Sequence, residues 1–348
     1  MLIRIARFIR EKYSYLIVTA LIVGAIIGFY TSSPGRFIKN YTSILTIIMI
    51  WAMSFTIRIE DFPFALKNFN SFLTGVLFNF VLAPFLCWVL ASIILHSYPN
   101  LAIGMILIGV IPCAGMAMVW TSMLKGNMPL SIVINASTMV LAPFLIPALM
   151  KVLTGSYVHI NMRKMFEDLM VTLLFPVATG IASRWIVEHA TLKSHEKIRH
   201  YLDIFSSISA VMAMLLMFMT INTSIQMILK HLALLLPLVA STALVFPIMF
   251  GTAYLLSKKL FDYDSNIAIT YSSGMKNLPI AMSIAITSFK EISALPIAVG
   301  FIFQMITAVG FYRIFGRLDS RDREIYKKKL LLERRSKYGF LRFCQKIC

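Results

Sequence analysis

Ten apolar runs divide this chain, at about residues 13–30, 41–57, 71–95, 101–124, 129–149, 169–187, 204–221, 232–256, 266–289 and 295–315. Each is long enough, or nearly so, to cross a hydrocarbon layer as an α-helix of about 20 residues. Polar residues gather between the runs, most visibly in the linker Lys151 to Lys164, which leaves five runs on either side. Two runs are broken from within. The fourth is interrupted at Pro112-Cys113-Ala114-Gly115, and the ninth at Gly274-Met275-Lys276-Asn277-Leu278-Pro279. Proline removes a backbone donor and glycine disfavours a continuous helix. Both breaks fall in the fourth run of a set of five, and interrupted spans at corresponding places point to a midplane binding site. Five is odd, so the second half is inverted relative to the first. The pattern predicts an all-α polytopic membrane protein of ten transmembrane helices, built as two inverted five-helix repeats over about 13–150 and 165–316.

Composition agrees with that reading. Of 348 residues, 59% are hydrophobic and 14% charged, and mean hydropathy is +0.80, against roughly 25% charged residues in soluble domains. The chain carries a net charge of +18. Residues 317–348 hold eleven Lys or Arg against four acidic residues, and read as a basic cytoplasmic tail near anionic lipid, with no nucleic-acid partner expected. Over the segments flanking the runs, basic residues divide 23 to 7 in favour of the side that holds both termini. Both termini are therefore expected to be cytoplasmic, in a multi-pass protein of the plasma membrane. The basic segment 1–12 precedes a long apolar run without a small-residue cleavage site, and reads as the flank of a retained first span.

Chemistry concentrates at the two breaks. Lys276 is the one charged side chain expected near the membrane midplane, where a charge marks a functional site by default. No acidic residue lies at matching depth, so neutral lone pairs from Ser272, Ser131, Asn135 and freed carbonyls are its expected neighbours. Lys276 can be read as pairing a solute anion, as releasing its proton during a cycle, or as a structural cation; the bland alternative is snorkelling to an interface. Asn277 is placed to cap the second half of the ninth helix, with Pro279 in its first turn. At the other break, Cys113 offers a soft thiol suited to a thiophilic solute such as arsenite, or packs as a small hydrophobe. Gly126 suits a helix end, with Asn127 and Pro129 opening the next helix. The six histidines fall in loops or at run ends, and no CxxC, HExxH, GxSxG or P-loop pattern occurs. No enzyme, metal site or cofactor is expected.

Several stretches resemble the bile acid:sodium symporter superfamily, which includes the arsenite permeases. Trp51-Ala52-Met53-Ser54-Phe55 with Arg58-Ile59-Glu60-Asp61-Phe62 is similar to its second span. Lys125-Gly126-Asn127 with Leu130-Ser131 is similar to its fourth-to-fifth turn. Gly274-Met275-Lys276-Asn277 is similar to its ninth-span crossover, commonly Gly-Met-Gln-Asn. The resemblance implies a panel (helices 1, 2, 6, 7) and a core domain (helices 3–5, 8–10) in which broken helices 4 and 9 cross. It implies a solute site at Cys113, Gly115, Ser272, Ser273, Lys276 and Asn277. Ser131, Asn135 and Lys276 then stand at ion-site positions. In symporter relatives sodium ligands include a Ser-Asn pair, a Glu and the crossover Gln; here those positions read Ala117, Met118, Ser272 and Lys276. An ammonium in place of a ligand argues against sodium coupling and leaves protons as the candidate. Pro112-Cys113, Met116 and Val119-Trp120 are similar to the arsenite permeases' fourth span, whereas the ninth lacks their Glu. The expected function is movement of a small solute such as arsenite outward by alternating access. The alternatives are an organic-anion transporter with Lys276 pairing the anion, and a membrane sensor acting through the basic tail.

Overall fold

The computed structural model describes residues 8, 9, 13–57, 60, 63, 68–155, 161–190, 195–230 and 232–316. The basic tail, most of the Arg58 to Phe62 motif and part of the inter-half linker lie outside the described residues. Two compact units are delimited, Met1–Ala308 and Val309–Cys348, and the contacts below belong to the first.

All of the apolar runs are helical. In chain order the helices are α1 (Tyr13–Tyr30), α2 (Ser33–Lys39), α3 (Thr42–Ser54), α4 (Phe69–Leu77), α5 (Ala83–Ile94), α6 (Pro99–Val110), α7 (Met116–Met123) and α8 (Met128–Thr154). There follow α9 (Met162–Leu169), α10 (Phe175–Ala190), α11 (His195–Lys230), α12 (Leu235–Leu260), α13 (Tyr263–Gly274), α14 (Leu278–Ser288) and α15 (Glu291–Gly316). Six continuous helical segments among the described residues are long and apolar enough to cross a membrane, or seven if the bent pair α1 and α2 is one span. The helices α3, α6 and α14 are apolar but shorter. They belong to the second, fourth and ninth runs.

Local sequence explains the interruptions. Chain direction turns by 118° between Val18–Tyr30 and Ser33–Lys39, where Pro34 opens α2 in its first turn. The third run stays helical through Pro84 by widening to a π-helix over Phe78–Leu82. The sixth does the same over Met170–Leu174 ahead of Pro176. A proline ring clashes with the carbonyl one turn back, and a π-turn opens room there. The turn from α7 to α8 corrects one expectation. Lys125, not Gly126, takes the left-handed conformation (φ 56°). Lys125 N–H donates to Ser122 O (3.0 Å) and Gly126 N–H to Thr121 O (2.9 Å), the two bonds that close a Schellman helix end. Gly126 is needed for proximity, since a Cβ there would stand 2.8 Å from Ile267 Cγ2.

Packing follows small residues. Gly24 and Gly28 set α1 against α11: a Cβ on Gly24 would meet Ile221 Cγ2 at 2.5 Å, and one on Gly28 would meet Asn222 O at 2.5 Å. Small residues spaced by four let two helix backbones approach where lipid supplies no hydrophobic drive between them. The same long helix, α11, also lies against α2 and α3, and α3 against α10. In α10, buried Arg184 donates to Glu188 one turn on (2.6 Å) and lies over the Phe55 ring. A second set of contacts joins α5 to α6 and α12, α12 to α13, and α13 to α4, α7 and α8. Lys39 of α2 and Glu291 at the start of α15 form an ion pair.

Candidate functional site at the crossing of two broken helices

Residues 111–115 separate α6 from α7, and residues 275–277 separate α13 from α14. These two extended stretches lie antiparallel and pair at Cys113 and Lys276. Ala114 N–H donates to Met275 O (2.8 Å) and Asn277 N–H to Pro112 O (3.0 Å). A break inside a membrane span frees backbone groups that lipid cannot satisfy. Here each break satisfies part of the other. Gln304 of α15 completes the arrangement by holding both backbone groups of Lys276: the Lys276 N–H donates to Gln304 Oε1 (2.9 Å), and Gln304 Nε2 donates to Lys276 O (3.2 Å).

The Lys276 side chain is 0% exposed, which excludes snorkelling. Its ammonium donates to Asn79 O (3.1 Å), Asn79 Oδ1 (3.0 Å) and Ile111 O (3.2 Å). Three donors meet three acceptors, none of them charged. The expectation of neutral lone pairs and freed carbonyls is met, but Ser272, Ser131 and Asn135 are not those that bind it. The reason lies in the π-helix of the third run. Ala83 N–H reaches back five residues to Phe78 O, and Pro84 has no N–H to offer Asn79 O. That carbonyl is thereby free to take the ammonium. Asn79 is also anchored, since its Nδ2 donates to Gly75 O (2.9 Å) and Ser272 O (3.0 Å). A solute anion would find no ammonium hydrogen left in this arrangement.

Cys113, the residue paired with Lys276 across the crossing, is fully buried. Asn135 Nδ2 donates to Cys113 O (3.1 Å) and to its sulfur (3.2 Å), and Thr138 Oγ1 lies 3.6 Å from the sulfur. Leu130, Ile134, Ala268 and Ile269 pack around the thiol. Ser131 and Ser272 hydroxyls bond to each other (3.1 Å), which joins α8 to α13 beside the crossing. Asn135 Oδ1 and Ser273 Oγ are buried with no hydrogen-bond partner among the described residues. These are free polar atoms a solute or water can meet.

Asn277 does not cap α14 through its side chain. Its amide instead approaches the Met53 sulfur of α3 (3.6 Å), so it faces the neighbouring helix group. Gly115 is half-buried beside it, and a Cβ there would touch Met53 Sδ at 3.4 Å. Asn127 does cap α8, accepting from Leu130 N–H (3.1 Å), and its own N–H donates to Asp264 O (3.0 Å). Gly274 is forced by proximity: a Cβ would stand 2.3 Å from the Phe250 ring. The expected residues lie on the crossing and on α8 and α13 beside it, and they differ in what they touch. Lys276, Cys113, Ser131 and Ser272 are engaged within the protein. Asn135, Ser273, Gly115 and Asn277 keep free atoms or face α3. Asn79, Thr138 and Gln304 were not expected. An isolated amide inside an apolar run, five residues before a proline, was the available signal for Asn79.

The sequence matches the family model of the sodium bile acid symporter family over residues 42–231, more than half of the chain. A sodium-dependent transporter of Bacillus subtilis, YocS, is 28% identical over 287 residues, which cover 80% of this chain and 84% of that protein. A probable chloroplastic sodium/metabolite cotransporter of rice, BASS2, is 25% identical over 316 residues, 88% of this chain and 72% of that one. The arsenical-resistance protein Acr3 of Alkaliphilus metalliredigens is 21% identical over 335 residues, 89% and 92% of the two chains. A buried crossing of two broken apolar helices and a match of this extent lead to one conclusion: the chain belongs to the sodium bile acid symporter family of multi-pass membrane transporters.

Proposed function

We propose that this protein moves a small solute outward across the plasma membrane by alternating access at the crossing, with Lys276 fixed in place of a coupling cation and arsenite as the solute. The observation that carries the proposal is the cage around Lys276: an ammonium, wholly buried, ringed by three neutral oxygens. A second cation brought within 4 Å of it would be repelled by about 4 kcal/mol at an effective dielectric of 20. Sodium coupling at the crossing is disfavoured on that ground, and a proton carried by Lys276 is the coupling candidate.

Arsenite as the solute draws on the thiol of Cys113 at the crossing and on a relative named for arsenical resistance. Trivalent arsenic is thiophilic, and a soft ligand selects it. Asn135 and Thr138 must release the sulfur for it to be reached, so thiol access belongs to a conformational step. In this reading the chain has ten spans in two inverted repeats, 13–150 and 165–316. The helices α1, α3, α9–α10 and α11 form a panel, and the others form a core that moves against it. Both termini are cytoplasmic, with 317–348 a basic tail.

Two measurements test the proposal. Arsenite flux in proteoliposomes should be unchanged when Na⁺ is replaced by K⁺; a strict requirement for Na⁺ would overturn the role of Lys276. Cells expressing Cys113→Ala should lose arsenite tolerance conferred by the wild-type chain, and unchanged tolerance would remove the thiol from the mechanism.

A further inference from the structure

The helix α14 leaves the crossing at Asn277 and ends at a crevice of about 120 Å³. Ser43 of α3, Asp168 of α9, Thr172 of the following π-turn, and Ser283, Thr287 and Ser288 of α14 line it. Ser283 lies six residues beyond Asn277, about 9 Å along a helix. The crevice is therefore separate from the Lys276 cage.

Its chemistry is one-sided. The polar lining supplies hydroxyls and one carboxylate, and no nitrogen donor. Thr172 donates its proton to Asp168 O (2.7 Å) and Thr287 donates to Ser283 O (2.9 Å), so what these hydroxyls have left is lone pairs. Ser283 is only 4% exposed, and its hydroxyl has no hydrogen-bond partner among the described residues. Asp168 forms no ion pair among them either, whereas its neighbour Glu167 is held by Arg163 (2.9 Å). An anion entering here would meet a carboxylate. A divalent cation would keep half of its charge uncompensated. One carboxylate among neutral hard oxygens balances a single positive charge.

We infer that this crevice binds one small monovalent cation, an alkali ion or ammonium, between α3, the α9 π-turn and α14. The occupant ties together elements far apart in sequence at the end where α14 finishes. It is a structural or gating ion at that mouth, and it does not require sodium at the crossing.

The test uses the full chain purified in detergent. Its thermal-unfolding midpoint is followed against NaCl, KCl and NH₄Cl, with N-methyl-D-glucamine chloride holding ionic strength constant. A saturable rise with a small cation, absent with the bulky one, is expected; comparison among the three salts separates alkali ion from ammonium. Asp168→Asn should abolish the rise, and Ser283→Ala should weaken its apparent affinity at least tenfold. Asp168 is exposed and the serine change removes one atom, so both variants should fold. A rise in the wild type that either variant loses or weakens supports the site. No rise, or one that both variants keep unchanged, overturns it.

Discussion

Replacing Asn79 by alanine should destabilise this protein far more than removing an ordinary polar side chain from a membrane helix. The substitution deletes Oδ1, one of three acceptors for the buried Lys276 ammonium (3.0 Å). A hydrogen bond to a charged group contributes about 1.5–3 kcal/mol net. It also deletes the Nδ2 donor to Ser272 O (3.0 Å). That carbonyl would otherwise accept from the N–H four residues on, but the Lys276 N–H is turned to Gln304. Leaving it without a donor costs about 1–3 kcal/mol. Together these give about 2.5–6 kcal/mol. Neutral interhelical hydrogen bonds in a bilayer average about 0.6 kcal/mol, so the lost charged bond and the stranded carbonyl both contribute to the difference. Denaturant unfolding in micelles measures the loss. A double-mutant cycle with Lys276→Met isolates the pair, which should show a coupling of about 1.5–3 kcal/mol. A loss of about 0.6 kcal/mol or less for Asn79→Ala, or no coupling, would refute the cage.

Other expectations follow from single contacts. Gly274→Ala places a Cβ 2.3 Å from the Phe250 ring and should cost about 1–3 kcal/mol by overpacking; a wild-type melting temperature would show that α12 yields freely. Gln304→Ala leaves the Lys276 N–H unpaired, while its carbonyl keeps the Leu278 N–H (2.9 Å), and should lower stability by about 1–3 kcal/mol, with transport reduced at a temperature where the wild type is active. The Lys39–Glu291 pair is partly exposed, its side chains 38% and 41% accessible, so Glu291→Gln should change stability by less than about 1 kcal/mol; a larger, salt-insensitive loss would mean that the pair is buried in the membrane.

Much of this protein was legible in the order of its residues. Helix length is a local property: a run of about 20 apolar residues has few other ways to exist in lipid, and every predicted run is helical. The two breaks were legible for the same reason, because Pro112, Gly274 and Pro279 act on their own backbone. Lys276 stood out because a lone charge in an apolar run is costly wherever the chain folds. What only the tertiary structure decided is which oxygens surround it. The acceptors at Asn79 and Ile111 lie 197 and 165 residues away in sequence, and one of them exists because Pro84 and a π-turn strip a carbonyl of its donor. Asn277 illustrates the same limit. Local rules made it a helix cap, yet its amide goes to Met53, which another helix brings within reach. Periodicity and backbone chemistry set elements and breaks, whereas hydrogen-bond partners are chosen in space, among groups that the packing of distant helices has left unsatisfied.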